Sequence, residues 1–437
     1  MSVPPPWGEC GRSWSKPVRE RKFMADAGRP LRILMTNNTL ASRAGSELYL
    51  LDLAVALMKK GHFPVAYSPE LGEVAEELSK RTIPVIDDLR EMTVAPDVIH
   101  GQHHHETMTA ALRYPHVPVV YICHGWAPWQ EAPPAYPTIM SYVAVDDLCR
   151  ERLLTTHGIS PQRITTLYNF VDLQKFQRIR TLPDRPKSAL VFSNHASEVS
   201  DAIRSACERC GIERIDVVGI RSGNRVAHPE KILADYDIVF AKARAAIEAM
   251  ASGCAVIVTD YAGLAGMVTT DNVDRLRGLN FGVRSMQANV LTSETVQREL
   301  ERYDARDARH VTDRIRKDAD LDPVVDRWIS IYHQVERTWA ETGESVTDVR
   351  KLQAASEYLR SLSPRLKSAI QNEQLRNALE SERNSLTREV KDYRARSEAL
   401  AAEMQASARG VVASIKSSAL RAPARFVQRY NQWFRKQ

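Results

Sequence analysis

The sequence lacks long apolar runs, and it contains few cysteines. No run of about 18 apolar residues occurs, which argues against a membrane-spanning helix. Six cysteines are scattered among 437 residues, a pattern that favours a reducing compartment over a disulfide framework. The first residues also lack the apolar core of a signal peptide. Together these absences predict a cytoplasmic protein.

Acidic residues are missing from the C-terminal end. None follows Glu403, whereas basic residues continue to the last positions. They alternate with apolar side chains such as Trp433 and Phe434, which is typical of a helix lying on an anionic membrane surface. Nucleic acid is the rival partner for a basic tail, but the tail contains no recognised nucleic-acid-binding module. We therefore expect peripheral attachment to the inner face of the cell membrane and no nucleic acid.

The rest of the chain has the composition of a soluble globular protein, with 43% hydrophobic and 26% charged residues. Apolar strands alternate with amphipathic helices, which predicts an α/β fold with parallel, doubly wound sheets. The expected divisions are an unstructured segment at 1–30, a first α/β domain at 31–177, a linker at 178–188, a second α/β domain at 189–321, a closing helix at 322–345, a charged helical segment at 346–408 and a basic tail at 409–437.

The charged helical segment has a seven-residue apolar repeat. Leu379, Leu386, Tyr393 and Leu400 are spaced by seven, which indicates a coiled coil and hence self-association. Glu382 and Glu389 interrupt the second apolar stripe. A single solvated helix is the alternative interpretation.

The most informative stretch runs from Asp237 to Gly253. It predicts a buried strand from Ile238 to Ala241 that leads directly into a helix beginning near Arg244. Such a turn is suited to bind an anion, because free N–H groups and the helix dipole converge there. Lys242 and Arg244 stand at the turn and Glu248 lies one helical turn inside. The alternative is that all three are ordinary surface charges.

The first domain offers a second set of candidates. Gly45 precedes a helix that follows the first strand, so backbone can approach a ligand there. His100 and His124 each follow a strand, at the edge of the sheet where such folds bind ligands. Three histidines, 103–105, suggest either an exposed polar loop or a metal site, but only Glu106 is available as an acidic partner.

Five pieces in this order resemble the family-four retaining glycosyltransferases of the GT-B fold. They are the Gly45–Ser46 loop with its helix, the stretch Asp97–His100, the pair His124–Gly125, the stretch 164–176, and the stretch 247–266 containing Ile247-Glu248 and Gly263–Gly266. The resemblance covers roughly residues 31–340. It implies two facing Rossmann-like domains, with the nucleotide-sugar donor on the second and the acceptor on the first.

The resemblance also implies roles for particular residues. Glu248 would hold the ribose hydroxyls, and His124 would lie beside the sugar or the phosphates. Backbone near the diphosphate and sugar would come from two glycine-containing segments: Gly45, Ser46, Gly263, Leu264, Ala265 and Gly266. Such enzymes need no metal or other cofactor, because helix dipoles and cationic side chains stabilise the leaving diphosphate.

The chain departs from the family pattern in two places. The position eight residues before Glu248, usually a sugar-binding Glu, is Phe240. The Arg and Lys that usually follow the first strand of the second domain are also missing between Phe192 and Glu198. We expect Lys242 and Arg244, or else Arg221 and Arg225, to replace those cations. The expected catalytic residues are therefore His124, Lys242 and Arg244.

Two functions remain open at this level. The first is a retaining glycosyltransferase that moves a sugar from a nucleotide diphosphate sugar to a polysaccharide or lipid-linked acceptor. The second is a catalytically inactive module of the same fold that binds nucleotide sugar and scaffolds a membrane-associated assembly.

Overall fold

The computed structural model describes residues 28–194, 196–219, 222–224, 226–287 and 289–420. Arg221, Arg225 and the last seventeen residues of the basic tail lie outside this set. Contacts divide the chain into two compact units, Met1–Ser356 and Glu357–Gln437.

The first domain is built on a seven-stranded parallel sheet. Its strands are β1 Arg32–Thr36, β2 Phe63–Tyr67, β3 Val85–Ile86, β4 Val98–Gln102, β5 Val119–Cys123, β6 Ile139–Ala144 and β7 Ile164–Thr166. Their order across the sheet is β3-β2-β1-β4-β5-β6-β7. The connecting helices are α1 Gly45–Lys59, α2 Glu73–Lys80, α3 His104–Arg113 and α4 Asp147–Thr155. Strands such as β5 (VVYIC) are buried along their whole length, as expected of a parallel sheet covered on both faces.

The second domain has a five-stranded sheet. Its strands are β8 Ser188–Phe192, β9 Arg214–Val218, β10 Ile238–Ala241, β11 Ala255–Asp260 and β12 Gly263–Met267, in the order β12-β11-β10-β8-β9. Its helices are α5 Ala196–Arg209, α6 Ala243–Ala251, α7 Val273–Gly278, α8 Val283–Met286, α9 Ser293–Leu300 and α10 Ala305–Asp318. The expected α/β fold with two Rossmann-like sheets is thus confirmed. The expectation of purely parallel sheets needs one correction, because β12 runs antiparallel to β11.

Successive residues of β10 face opposite sides of this sheet. Val239 and Ala241 belong to one buried apolar cluster, whereas Ile238 and Phe240 belong to another. Phe240 is only 1% exposed. The position where the family pattern has a sugar-binding Glu is therefore part of the hydrophobic core in this chain.

Helix α11 (Leu321–Thr342) follows the second domain and packs on the first, against α1, β5 and β6. The indole N–H of Trp328 donates to the Tyr49 hydroxyl at 2.9 Å, and the Tyr332 hydroxyl lies 2.8 Å from Nδ1 of His100. His100 is fully buried and its pKa is lowered to about 3, because burial disfavours the charged imidazolium. These contacts give His100 a packing role.

The segment expected to link the domains lies against the second domain. The guanidinium of Arg180 donates two hydrogen bonds to Asp237, and its backbone N–H donates to the carbonyl of Ser252 at 2.7 Å. Gly253 has φ +85°, and a Cβ there would lie 2.7 Å from backbone atoms of Arg180. Glycine at 253 therefore both ends α6 and allows this close approach.

The N-terminal boundary is also marked by contacts. Arg29, within the segment expected to be unstructured, forms ion pairs with Asp97 and with Glu336 of α11.

Beyond the globular domains, helix α12 (Asp348–Leu420) runs without interruption and contains Pro364. Among the described residues, no helix combines the length and the apolar character needed to cross a membrane.

Candidate functional site

The turn from β10 into α6 is formed by residues with unusual backbone conformations. Ala243 has φ +49°, in the left-handed region that a non-glycine residue seldom adopts. Its N–H donates to the carbonyl of Phe281 at 2.9 Å, and Asn280 and Phe281 are themselves left-handed. The first N–H groups of an α-helix have no acceptor within the helix itself. The N-terminus of α6 therefore retains donors for a ligand.

This turn opens onto a cleft of about 500 Å³ between the two domains. The first domain contributes Gly45 and Leu48 of α1, and the second contributes Glu248 with the turn 242–245. A methyl group added at Gly45 would meet no atom within 4 Å, so the N-terminus of α1 presents bare backbone. Apolar side chains line the wall on the second domain: Phe192, Val218, Val226, Ala227 and Pro229.

Arg244 forms ion pairs with two carboxylates in this cleft. Its Nε donates to Oε1 of Glu248 at 2.7 Å, and its Nη2 pairs with Asp52 of α1, in the other domain. The three side chains are only 8–14% exposed. Burial between two carboxylates raises the pKa of Arg244, because their charges outweigh the cost of desolvating the guanidinium. We call Asp52, Arg244 and Glu248 the interdomain triad.

Glu248 lies at one end of this arrangement, bonded to Arg244. Burial raises its pKa, and the charge and hydrogen bond of Arg244 oppose that effect. The carboxylate predicted to hold a ribose is therefore placed on the cleft but is already bonded to an arginine. A ligand hydroxyl must share Glu248 with Arg244 or displace it.

Lys242, the other predicted cation, is also paired. Its ammonium forms an ion pair with the fully buried Asp260 and lies 5.3 Å from the centre of the Tyr261 ring. Ser193 donates to the other carboxylate oxygen of Asp260 at 3.1 Å. Both predicted cations thus line the cleft as members of ion pairs.

His124 occupies a different environment. Its backbone N–H donates to Glu131 at 3.0 Å, and its ring meets Tyr49 edge-on at 4.7 Å. Burial lowers its pKa to about 4, although Glu131 acts in the opposite direction. The imidazole is therefore neutral near pH 7, and its Nε2 has no hydrogen-bond partner among the described residues. His124 is not one of the residues that line the 500 Å³ cleft.

The segment predicted to offer backbone to the diphosphate, Gly263–Gly266, forms β12 instead of an open loop. The N–H of Leu264 already donates to the carbonyl of Asn289 at 3.0 Å. A Cβ at Gly266 would collide with the Glu299 carboxylate at 2.6 Å. None of these residues, Ala265 included, lines the cleft.

Ser46, predicted with Gly45, donates to the Glu47 carboxylate at 2.9 Å. Glu47 is 4% exposed, and burial raises its pKa.

The three consecutive histidines do not converge. His103 pairs with Glu131 at 3.3 Å and accepts from the N–H of Asn38, His104 meets the ring of Trp129, and His105 pairs with Glu106. In the part of the chain that the structure describes, no three His, Cys, Asp or Glu side chains are grouped so as to hold a metal ion.

The sequence reasoning missed Asp52 and Glu131. Asp52 interrupts the apolar run of α1 (LYLLDLAVAL). A carboxylate inside such a run is rarely buried without a partner, so this interruption was the available signal. Glu131 carried no comparable signal, because it follows His124 within a loop.

Residues 43–175 match the model of Glycosyltransferase Family 4. No curated protein sequence matches the chain.

Solved structures with a similar fold include a glycosyltransferase from Rickettsia africae ESF-5, with 14% identity and a TM-score of 0.47, covering 70% of this chain and 98% of that one. HepE of Anabaena in complex with UDP-glucose has 14% identity and a TM-score of 0.47, covering 71% and 100%. MurG of Acinetobacter baumannii has 10% identity and a TM-score of 0.41, covering 70% and 100%. The structure itself contains two Rossmann-like sheets, and the matched family segment lies within the first domain.

Proposed function

We propose that this protein transfers a sugar from a nucleotide diphosphate sugar to a polysaccharide or lipid-linked acceptor, with the donor bound in the cleft between its two α/β domains. One observation carries the proposal. The N-termini of α1 and α6, one from each domain, open onto the same cleft of about 500 Å³. Helix N-termini suit a diphosphate because of their N–H groups and dipole. The matched family segment, 43–175, supplies one of these two helices.

In this proposal Glu248 binds the ribose. A carboxylate can accept hydrogen bonds from two neighbouring hydroxyls, and Glu248 lies on the cleft wall with one oxygen bonded to Arg244. The ribose hydroxyls would take the second oxygen and compete with Arg244 for the first. Asp52 would keep Arg244 in place during this exchange. The apolar wall that includes Val218 and Val226 would accommodate the base.

The reaction would break the bond between the sugar C1 and its phosphate oxygen and form a bond from the acceptor oxygen to C1. The proton of the acceptor hydroxyl passes to the departing phosphate oxygen, and the nucleoside diphosphate leaves with two phosphates. We assign Lys242, Arg244 and the N–H groups at the start of α6 to the charge of that leaving group, without a metal. In comparable sites, one such hydrogen-bond donor lowers the free-energy barrier of the reaction by about 3 kcal/mol. We further propose retention of configuration.

We also propose that the basic tail attaches the protein to a membrane. The basic residues at 409–437 would bind an anionic membrane surface, each contributing about 1 kcal/mol near the surface. The acceptor would then lie at the inner face of the cell membrane. Removing residues 405–437 should release the protein from vesicles that contain anionic lipid, whereas unchanged vesicle binding would contradict this attachment.

The transfer itself is tested by incubating the full chain with a panel of UDP- and GDP-sugars and measuring release of the nucleoside diphosphate. At least one donor should be turned over. If a donor binds but its sugar is transferred neither to an acceptor nor to water, the protein is not a transferase. The catalytically inactive nucleotide-sugar-binding module would then be the supported function.

The ribose assignment is tested by Glu248→Gln, with Glu208→Gln as the matched control. Glu208 is exposed on α5 of the same domain. Calorimetry should show at least roughly ten-fold weaker nucleotide binding for Glu248→Gln, corresponding to one charged hydrogen bond, and no change for the control. Equal affinities in both variants would contradict the assignment.

A further inference from the structure

We propose that α12 forms a parallel, two-stranded coiled coil with the same helix of a second copy, over residues 376–411. The inference concerns an interaction surface and does not depend on the proposed reaction. It rests on which positions of the helix carry apolar side chains, on their exposure and on the charges beside them.

The apolar side chains of this stretch follow one heptad register. When Leu379, Leu386, Tyr393 and Leu400 are placed at position d, position a is occupied by Val390, Met404 and Val411 together with three polar residues. All seven large apolar residues between 376 and 411 therefore fall at a or d. The outward positions b, c and f carry only small, polar or charged residues. Five heptads of this kind are the pattern of a coiled-coil seam.

The seam has no partner in the described chain. Its leucines are more than half exposed, for example 56% for Leu379 and 59% for Leu400. Leaving such side chains in water forgoes the favourable free energy of burying them. A single solvated helix would therefore be disfavoured by its own sequence.

The residue types at the seam select the number and direction of the strands. Position a carries the β-branched Val390 and Val411, while position d is mainly leucine, the combination that favours parallel dimers. Polar residues at a, such as Arg383 and Ser397, weaken the seam but define its register.

Charges beside the seam fit the same arrangement. In a parallel dimer, position g faces position e of the next heptad on the partner helix. That places Glu389 opposite Arg394 of the second copy, and the symmetric contact forms on the other side. Glu382, at g, lies beside Arg383 at a of the second copy. Exposed ion pairs of this kind add little to the affinity, so their main effect is on the register of the two helices.

The length of the stretch is sufficient for a stable interface. Positions a, d, e and g over residues 376–411 supply roughly 20 residues from each helix, which is the size of a standard interface. An earlier stripe of exposed apolar residues has the same chemistry: Val349, Leu352, Leu359, Leu366 and Ile370. It is out of register by one residue, or about 100° around the helix. The longer stripe is therefore the one assigned to the dimer.

The first test is the mass of the full chain in solution. Light scattering should give twice the 49.2 kDa of the chain at micromolar concentration. The double substitution Leu386→Glu and Leu400→Glu places charges at d and should raise the dissociation constant roughly 100-fold or more. The matched control is Ala399→Glu with Ala402→Glu, which adds the same charges at positions c and f. Circular dichroism shows whether each variant keeps its helix.

A monomeric wild-type chain would overturn the proposal. So would an intact dimer in the variant that carries Leu386→Glu and Leu400→Glu. A mass of three or four chains would overturn the two-stranded form. Direction is tested with Leu379→Cys and Leu400→Cys, made separately. In a parallel dimer both should form an intermolecular disulfide on mild oxidation, whereas Ala402→Cys at position f should not. Cross-linking at neither position, or at only one, would refute the parallel alignment.

Discussion

The substitution Asp52→Ala tests the interdomain triad most directly. Asp52 lies on α1 of the first domain and pairs with Arg244 of the second, and their side chains are only 10% and 14% exposed. Breaking a buried ion pair by removing one partner costs about 3–5 kcal/mol. Glu248 remains bonded to Arg244 at 2.7 Å, so part of that cost is avoided. We expect the free energy of unfolding to fall by about 2 kcal/mol.

The matched control is Asp326→Ala. Asp326 also contacts α1, through an ion pair with Lys60 at 2.8 Å, but these side chains are 62% and 37% exposed. Exposed pairs are worth about 0–1 kcal/mol. Urea denaturation followed by tryptophan fluorescence should therefore separate the two variants by at least about 1 kcal/mol.

A double-mutant cycle between Asp52→Ala and Arg244→Ala gives the coupling itself. We expect the effects of the two substitutions to be non-additive by about 1–3 kcal/mol, as for side chains in direct contact. If Asp52→Ala costs no more than Asp326→Ala, or if the two triad substitutions are additive, the triad does not join the domains.

Three further substitutions have definite expected outcomes. Because the pKa of His100 is about 3 in the folded chain and about 6.5 when unfolded, its contribution to stability is complete above pH 6.5 and is lost as the pH falls towards 3. His100→Gln should therefore flatten the fall of the melting temperature across that range, and an unchanged profile would contradict the assignment. Gly253→Ala should destabilise by more than Gly211→Ala, measured by urea denaturation, because both glycines have positive φ but only a Cβ at 253 meets backbone; equal effects would rule out the close approach. Tyr49→Phe should cost about 1–3 kcal/mol in the same assay, because it leaves the buried N–H of Trp328 without its acceptor, and a neutral effect would exclude that bond.

Much of the fold could be predicted because it depends on local patterns. The strand Ile238–Ala241 has the bounds that its apolar run predicts, and α6 ends at Ala251, shortly before Gly253. Buried parallel strands read as short apolar runs, and helices read as a 3.6-residue repeat. The antiparallel β12 was missed because its glycines predict a loop, and its pairing with β11 depends on a turn between them.

The partners of the charged residues could not be predicted in the same way. The sequence places Lys242, Arg244 and Glu248 at one helix start, but Asp52 lies 192 residues before Arg244. Nothing in the local pattern says which carboxylate a cation will meet, since that depends on how two domains close on each other. A cation at a helix N-terminus is unfavourable on its own, and this predicted an anion beside it. It did not distinguish a ligand phosphate from a carboxylate of the protein.

The triad bears on the residue at position 240, where the chain has Phe and the resembled family has a sugar-binding Glu. Because Phe240 lies in the hydrophobic core, this position at the end of β10 places no carboxylate on the cleft. Arg244 stands at the start of α6, where two carboxylates face one guanidinium. Under the proposed function, Glu248 releases Arg244 to bind the ribose hydroxyls, and Asp52 continues to neutralise Arg244. Under the proposed function, donor binding would therefore be coupled to the contact between the domains, because Arg244 takes part in both.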